Sequence, residues 1–261
     1  MPKTRGSAVG AKVLLQGLDL LRLLAQSGGP VSATALAEIT GQHPSTVSRL
    51  LSALVHAGYV RKPTYHSYSA DLGLIALHGR ARDHFPVITV PRAVLAEHIK
   101  KLPGMRLTLA TLHEQQLVYW LAVESGQEPL GLWIGNYGLH LSSIALRILI
   151  ERPAAEARAT LASSRRWHGW ERPTAAVPLD EVAVLATART LLRDDCLVLD
   201  GWQGTGRISV ALPVPPPATS ADGRPLILAL SGPTPARLDA TLRLLHTIRD
   251  DVAHALTGAT P

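Results

Sequence analysis

One stretch, Ser32–Val60, constrains this chain more than any other, because its helical faces divide into two kinds of surface. A helix starting at Ser45 turns by about 100° per residue, which gathers Val47, Leu50, Leu51 and Leu54 on one side. Ser45, Ser48, Arg49 and Ser52 gather on nearly the opposite side, and no carboxylate lies along it. The apolar side can pack onto a small core. The other side offers short hydroxyls, which permit close approach to another surface, and one guanidinium able to fork onto guanine or clamp phosphate. That is the chemistry of a helix laid in a DNA groove.

The flanking residues agree. Ser32 is an N-cap candidate for a short helix carrying Ala33, Leu36, Ala37 and Ile39, and Gly41 ends it. Gln42-His43-Pro44 forms the turn, and Pro44 pre-sets the backbone for the next helix. An earlier helix, with Leu14, Leu18, Leu21 and Ala25 at helical spacing, is expected to supply the remaining wall of the core. After Gly58, Tyr59–Lys62 and Tyr65–Tyr68 read as two short strands around a Pro-containing turn, a wing whose Arg61 and Lys62 can reach phosphates. The whole is a winged helix-turn-helix arrangement. The plainer alternative is an ordinary helical hairpin in a globular core.

Charge distribution favours the DNA reading. Residues 1–82 hold nine lysines and arginines against Asp19, Glu38 and Asp71, so the entire net charge of +6 sits in the first third of the chain. A basic module joined to a neutral one suggests a DNA-binding head and a body with another task. Length and an apolar content of 46% allow two domains, each with a real core. The apolar start Val13–Ala25 contains Asp19 and Arg22 and is not expected to be a signal peptide, and no apolar run is long enough to span a bilayer. A single cysteine, Cys196, excludes an intrachain disulfide and points to a cytoplasmic location; a small buried residue is its simplest role.

The head resembles that of the isocitrate-lyase-regulator (IclR) family of bacterial transcription regulators. The resemblance is carried by the leucine-rich Leu14–Ala25, by Ala33–Gly41, by Pro44-Ser45-Thr46-Val47-Ser48-Arg49-Leu50-Leu51, and by Gly58-Tyr59-Val60. The wing departs from the family pattern at Pro63–His66 and at Tyr68-Ser69-Ala70-Asp71. With it, Ser45, Thr46, Ser48 and Arg49 are expected to meet bases or phosphates, while Ser32, Thr34, His43, Arg61 and Lys62 position the DNA backbone. Residues 72–84 then read as a linker helix (Leu74, Ala76, Leu77, Ala81) broken by Phe85-Pro86. In the family this element joins head to body and helps pair two subunits; a plain surface helix is the alternative. The expected division is a basic N-terminus over 1–11, the head over 12–70, the linker over 71–90 and the body over 91–261.

The body reads as an α+β domain. Helices are expected at Pro91–Leu102, Ser142–Glu151, Ala154–Ser163, Pro178–Arg193 and Thr234 to about Leu256. Strands are expected at Arg106–His113, Leu117–Glu124, Pro129–Ile134, Leu197–Asp200, Arg207–Val214 and Pro225–Ser231, with a stiff loop from Pro213 to Ser220 and a turn at Asp222-Gly223. This layout resembles the family's GAF-like effector-binding domain, an antiparallel sheet with flanking helices. The family's H-A-T-A-x-G-K stretch corresponds to Leu141–Arg147, its G-x-x-C-I-A-A-P-V stretch to Gly206–Val214 with Ser209 in place of cysteine, and its S-G-P is intact at Ser231-Gly232-Pro233. The resemblance implies a small organic effector, a carboxylate or an aromatic, held by Ser142, Ser143, Asp200, Ser209 and Ser231, with Trp120 or Trp133 as apolar walls. It also implies a near-palindromic duplex DNA partner, a dimer or tetramer, and repression as the commoner mode.

Catalytic readings find little support. His113-Glu114 starts like a zinc-protease helix, but Leu117 stands where the second histidine is needed. Gly204-x-Gly206 precedes a β-rich run rather than a helix. No nucleophile elbow or Cys/His metal spacing occurs, so no catalytic residue, metal or cofactor is expected. Asp194-Asp195 and Asp250-Asp251 read as solvated helix ends. Two alternatives stay open: a winged-helix protein whose body only oligomerises or binds a protein partner, and an enzyme with a DNA-docking head.

Overall fold

The computed structural model describes residues 5–82, 84–216 and 224–258, in two compact units that divide after Arg82. The first unit holds α1 (Arg5–Gln26), β1 (Val31–Ser32), α2 (Ala33–Thr40), α3 (Pro44–His56), β2 (Val60–Thr64), β3 (Ser67–Ala70) and α4 (Leu72–Arg82). The three strands form an antiparallel sheet in the order β1-β3-β2. Leu20, Leu24, Leu36, Val47, Leu51, Val60 and Tyr68 make its core.

Three expectations for this unit change. Leu14 and Leu18 do not wall the core: they are 64% and 49% exposed, and Leu20 and Leu24 take that place. Two leucine stripes run along α1 barely one residue apart, so spacing alone does not say which turns inward. The wing turn is Tyr65-His66, and Pro63 lies inside β2, where the pairing with β3 is irregular between Arg61 and Thr64. A proline that cannot donate is tolerated at such a break. The linker helix α4 buries none of its residues, and Leu72, Ile75 and Leu77 are exposed.

The second unit is built on a seven-stranded, wholly antiparallel sheet, β6-β5-β4-β10-β9-β8-β7. Its elements are α5 (Pro86–Thr89), α6 (Pro91–Ile99), β4 (Arg106–His113), β5 (Gln116–Glu124), β6 (Leu130–Ile134), α7 (Ser143–Leu149), α8 (Ala154–His168), α9 (Glu181–Thr190), β7 (Leu192–Arg193), β8 (Cys196–Asp200), β9 (Arg207–Pro213), β10 (Ile227–Pro233) and α10 (Leu238–Gly258). A single 3-10 turn, Leu139–Leu141, leads into α7. Strand residues alternate between two faces. One face carries Leu107, Leu109, Val210, Leu212, Leu228 and Leu230 and packs on α5, α6 and α10. The other carries Ala110, Ala211 and Ala229 and packs on α7, α8 and α9.

Here too the structure revises local details. The expected helix Pro178–Arg193 is shorter, and its end is strand β7. Asp194-Asp195 is therefore no helix end. Both residues have positive φ, 46° and 66°, and close the β7–β8 hairpin in the two-residue pattern that needs a left-handed backbone. Arg147, buried in α7, donates to the Asp195 carbonyl (3.0 Å) and pairs with the Asp195 and Glu151 carboxylates, which fastens that turn. The reversal after β4 is likewise the two residues Glu114-Gln115, with φ of 45° and 69°. The turn expected at Asp222-Gly223, and the part of the loop from 217 to 220, lie outside the described residues.

The leucine-lined face forms one of the two large cores of the second unit. Replacing the fully buried Leu109 with alanine should cost about 2–5 kcal/mol. Urea unfolding should show a lowered midpoint with an unchanged slope; an unchanged midpoint would show that this face is not packed as described.

Candidate functional sites

The first candidate is the exposed face of α3. Ser32 caps α2 by accepting from the Ala35 amide (3.1 Å), and Gly41 ends it in the left-handed conformation (φ 65°). That reversal sets the start of α3. There His43 is the N-cap: its Nδ1 accepts from the Ser45 amide (3.3 Å) and lies 2.8 Å from the Ser45 hydroxyl, while Pro44 occupies the first turn. The sequence assigned His43 to the DNA backbone and did not foresee this cap, since histidine is an uncommon capping residue. Val47 and Leu51 are buried, Ser45, Arg49 and Ser52 are exposed, and Thr46 and Ser48 are half-buried. Arg49 is held by no hydrogen bond or ion pair among the described residues, so its guanidinium is available to a ligand.

Ser32 is half-buried and Thr34 exposed at the start of α2. Arg61 and Lys62 are both exposed on β2. Lys62 is steered by aromatic faces, its Nζ lying 4.6 Å from the Tyr65 ring centre and 5.6 Å from that of Tyr68. Such contacts hold an ammonium in place at a cost to its freedom. Neither tyrosine was singled out from sequence as a partner of Lys62, although cross-strand neighbours on a hairpin can be read from the alternation once the turn is placed.

The second candidate is a cavity of about 420 Å³ in the second unit. It lies over the sheet face that carries small residues, where Ala229 and Thr108 leave space that larger side chains fill elsewhere. Ser142, Ser143, Ser209 and Ser231, named from the sequence, all line it, and so does Trp133. Asp200 does not. It sits exposed at the end of β8, where it accepts from the Thr234 hydroxyl (2.9 Å). Trp120 packs on the opposite face beside Phe85, with ring centres 5.3 Å apart. The reason is a bulge in β5: Leu109 pairs with Leu121 and Ala110 with Tyr119, so Trp120 is the extra residue and Tyr119 turns to the cavity.

Several polar groups of the cavity are already hydrogen-bonded within the protein. Ser142 caps α7 by accepting from the Ala145 amide (3.2 Å), and the Ser143 and Ser209 hydroxyls are 2.6 Å apart. The Tyr119 and Tyr137 hydroxyls are hydrogen-bonded, and the Tyr119 ring stacks on Trp133 with centres 4.6 Å apart and planes within 5°. Gly135 makes this possible, because a Cβ there would lie 2.9 Å from the Tyr119 ring. Burial, followed by the neighbouring Tyr137, pushes the Tyr119 phenol well above its ordinary range, so it acts as a neutral hydroxyl. Gln203 donates to the Leu141 carbonyl (3.1 Å) and also lines the space. Arg106 and Thr108 share a face of β4 and were legible from its alternation; Tyr119 was hidden by the bulge, and Pro173 and Gln203 come from irregular loops with no periodic signal.

Beside the cavity, His140 is buried and stacks on Trp170 (4.0 Å, 9°), and its Nε2 donates to the Glu171 carbonyl (2.7 Å). Burial holds its pKa below the ordinary value, opposed by that hydrogen bond. Burial, then Asp195, pushes the Cys196 thiol up to about 11, leaving it unreactive. Among the described residues no group of three or more His, Cys, Asp or Glu side chains could hold a metal ion, and no helix is long and apolar enough to cross a membrane.

The IclR helix-turn-helix domain model matches residues 13–63, which span α1 to the wing. The chain therefore carries a helix-turn-helix domain of the IclR type. Its fold matches solved IclR-type structures over nearly all its length. One, from Silicibacter sp. and assigned to the IclR transcriptional regulators, is 20% identical, covers 95% of this chain and 98% of its own, and has a TM-score of 0.71. An IclR family transcriptional regulator from Brucella abortus is also 20% identical, with coverage of 95% and 92% and a TM-score of 0.70. An IclR homologue from Microbacterium hydrocarbonoxydans, complexed with 4-hydroxybenzoate, is 15% identical, with coverage of 95% and 100% and a TM-score of 0.62. At such identities the likeness is one of fold.

The lowered pKa of His140 makes stability pH-dependent. Below about pH 6.5 the unfolded chain takes up a proton here that the folded chain resists, so stability is full above that pH and falls as pH drops. His140→Phe should lose less stability between about pH 7.5 and about pH 5.5 than the wild type in urea unfolding; identical pH profiles would contradict the assignment.

Proposed function

We propose that the protein is a transcriptional regulator of the IclR type, a cytoplasmic homodimer or tetramer that binds a near-palindromic duplex operator as a repressor, and that a small organic effector in the cavity of the second unit changes its operator affinity. The observation that carries the DNA half is the acid-free face of α3, with Arg49 exposed and uncommitted. Two such helices would occupy successive major grooves, about 34 Å apart. Ser45, Thr46, Ser48 and Arg49 are the proposed contacts to bases and phosphates; Ser32, Thr34, His43, Arg61 and Lys62 are the positioning set. Exposed Leu14, Leu15 and Leu18 on α1 and Leu72, Ile75 and Leu77 on α4 support self-association, since apolar stripes of this kind favour a covering partner.

The cavity supports the effector half. It is formed within one unit, is of ligand size, and combines flat aromatic walls with a few fixed hydroxyls. The Microbacterium hydrocarbonoxydans homologue holds a single-ring molecule, which agrees with that size. Ser142, Ser143, Ser209 and Ser231 are the proposed effector contacts.

Selection from a random duplex pool with the full-length protein at near-physiological salt should enrich a two-fold symmetric motif with half-sites about one turn apart. Binding without enrichment that vanishes as salt rises would reduce the head to a nonspecific tether. On the selected duplex, Arg49→Ala should cost about 1–3 kcal/mol and relax preference at one base position; unchanged affinity and specificity would rule that role out. Lys62→Ala should weaken all sequences alike and flatten the salt dependence, whereas a sequence-selective loss would contradict a phosphate contact.

A further inference from the structure

The charge arrangement of the cavity narrows what it can hold, given the effector reading above. In-register pairing lines up Glu124, Arg106, Ser231 and Ser209 as one row across β5, β4, β10 and β9. Arg106 is the one charged residue among the described residues lining the cavity. It does not face the cavity as a free cation: its Nε and Nη2 both turn onto the Glu124 Oε1 atom. The row therefore ends in a pair whose charges cancel over the distance at which a bound ligand would sense them.

Four of the other polar partners are hydroxyls engaged pairwise, Ser143 with Ser209 and Tyr119 with Tyr137, and the rest of the polar lining (Thr108, Ser142, Gln203 and Ser231) is uncharged. Each hydroxyl pair uses one proton internally and keeps one O–H to donate and lone pairs to accept. A ligand hydroxyl or amide, itself both donor and acceptor, completes such a pair. A carboxylate only accepts. It would surrender its hydration to a site without free countercharge, and burial of an uncompensated anion is costly. The Ser142 side chain takes the Ala145 amide, so one of the strong donors in the first turn of α7 is also spent. Trp133, stacked flat on Tyr119, suits a planar ring.

We infer that the cavity takes an uncharged ring compound bearing hydroxyl or amide groups in preference to the matching carboxylate, and that the Glu124–Arg106 pair sets this preference. Calorimetric titration of the full-length protein at neutral pH with 4-hydroxybenzamide and with 4-hydroxybenzoate compares two ligands of one shape that differ in charge. The amide should bind about ten-fold tighter or more. Glu124→Gln, which frees Arg106, should raise carboxylate affinity several-fold while leaving amide affinity within about two-fold. A melting curve checks that the variant folds; if it does not, the wild-type ratio alone decides. Equal or tighter binding of the carboxylate by the wild type, or a folded Glu124→Gln with an unchanged ratio, overturns the inference and leaves the effector reading standing. No binding of either compound, together with no thermal stabilisation by a wider panel of small acids, alcohols and amides, overturns the effector reading and the inference with it.

Discussion

The second unit depends on an asymmetry written into the alternation of its central strands. In the middle of these strands alternate residues are large aliphatics (Leu107, Leu109, Ile208, Val210, Leu212, Leu228 and Leu230), and they meet α5, α6 and α10. The intervening positions are Thr108, Ala110, Ser209, Ala211, Ala229 and Ser231, and they face α7. Tight packing on one side keeps the sheet rigid, with each leucine contributing about 1.5–3 kcal/mol by burial. Small side chains on the other side cannot fill the space up to the helices. A cavity is the consequence, and its polarity follows from which of the small residues carry hydroxyls.

The first unit obeys a different logic, in which backbone geometry at two caps aims a helix. Ser32, Gly41, His43 and Pro44 each satisfy or pre-set part of a helix end, and between them they fix where α3 begins. Its buried side, Val47 and Leu51, then determines which residues face outward. The basic excess confined to this part of the chain supplies attraction to a polyanion, while short serines allow close approach. On the proposed reading, affinity and recognition come from different residues on one small scaffold.

Much of this was legible in the sequence because it is periodic or local. The two faces of α3, the caps of α2 and strand β4 follow from spacing and from the chemistry of Ser, Gly and Pro. The serines of the cavity came from resemblance, and four of the five proposed polar contacts do meet around one space while Asp200 stands apart. What escaped reading depends on context. Two leucine stripes on α1 compete on equal terms, and only tertiary packing selects Leu20 and Leu24. A single extra residue in β5 moves Trp120 to one face and Tyr119 to the other. The Asp194-Asp195 hairpin looks like a polar helix end until buried Arg147 is seen to hold it.

The central claim is that occupancy of this cavity is energetically coupled to operator binding. The most direct measurement is the affinity of the full-length protein for its selected duplex, free and saturated with the strongest thermal stabiliser from a panel of ring-sized alcohols, amides and acids. The account predicts a change of about 5- to 150-fold, the ordinary range of such coupling. Equal affinities at saturation would contradict it and leave the second unit as an oligomerising module.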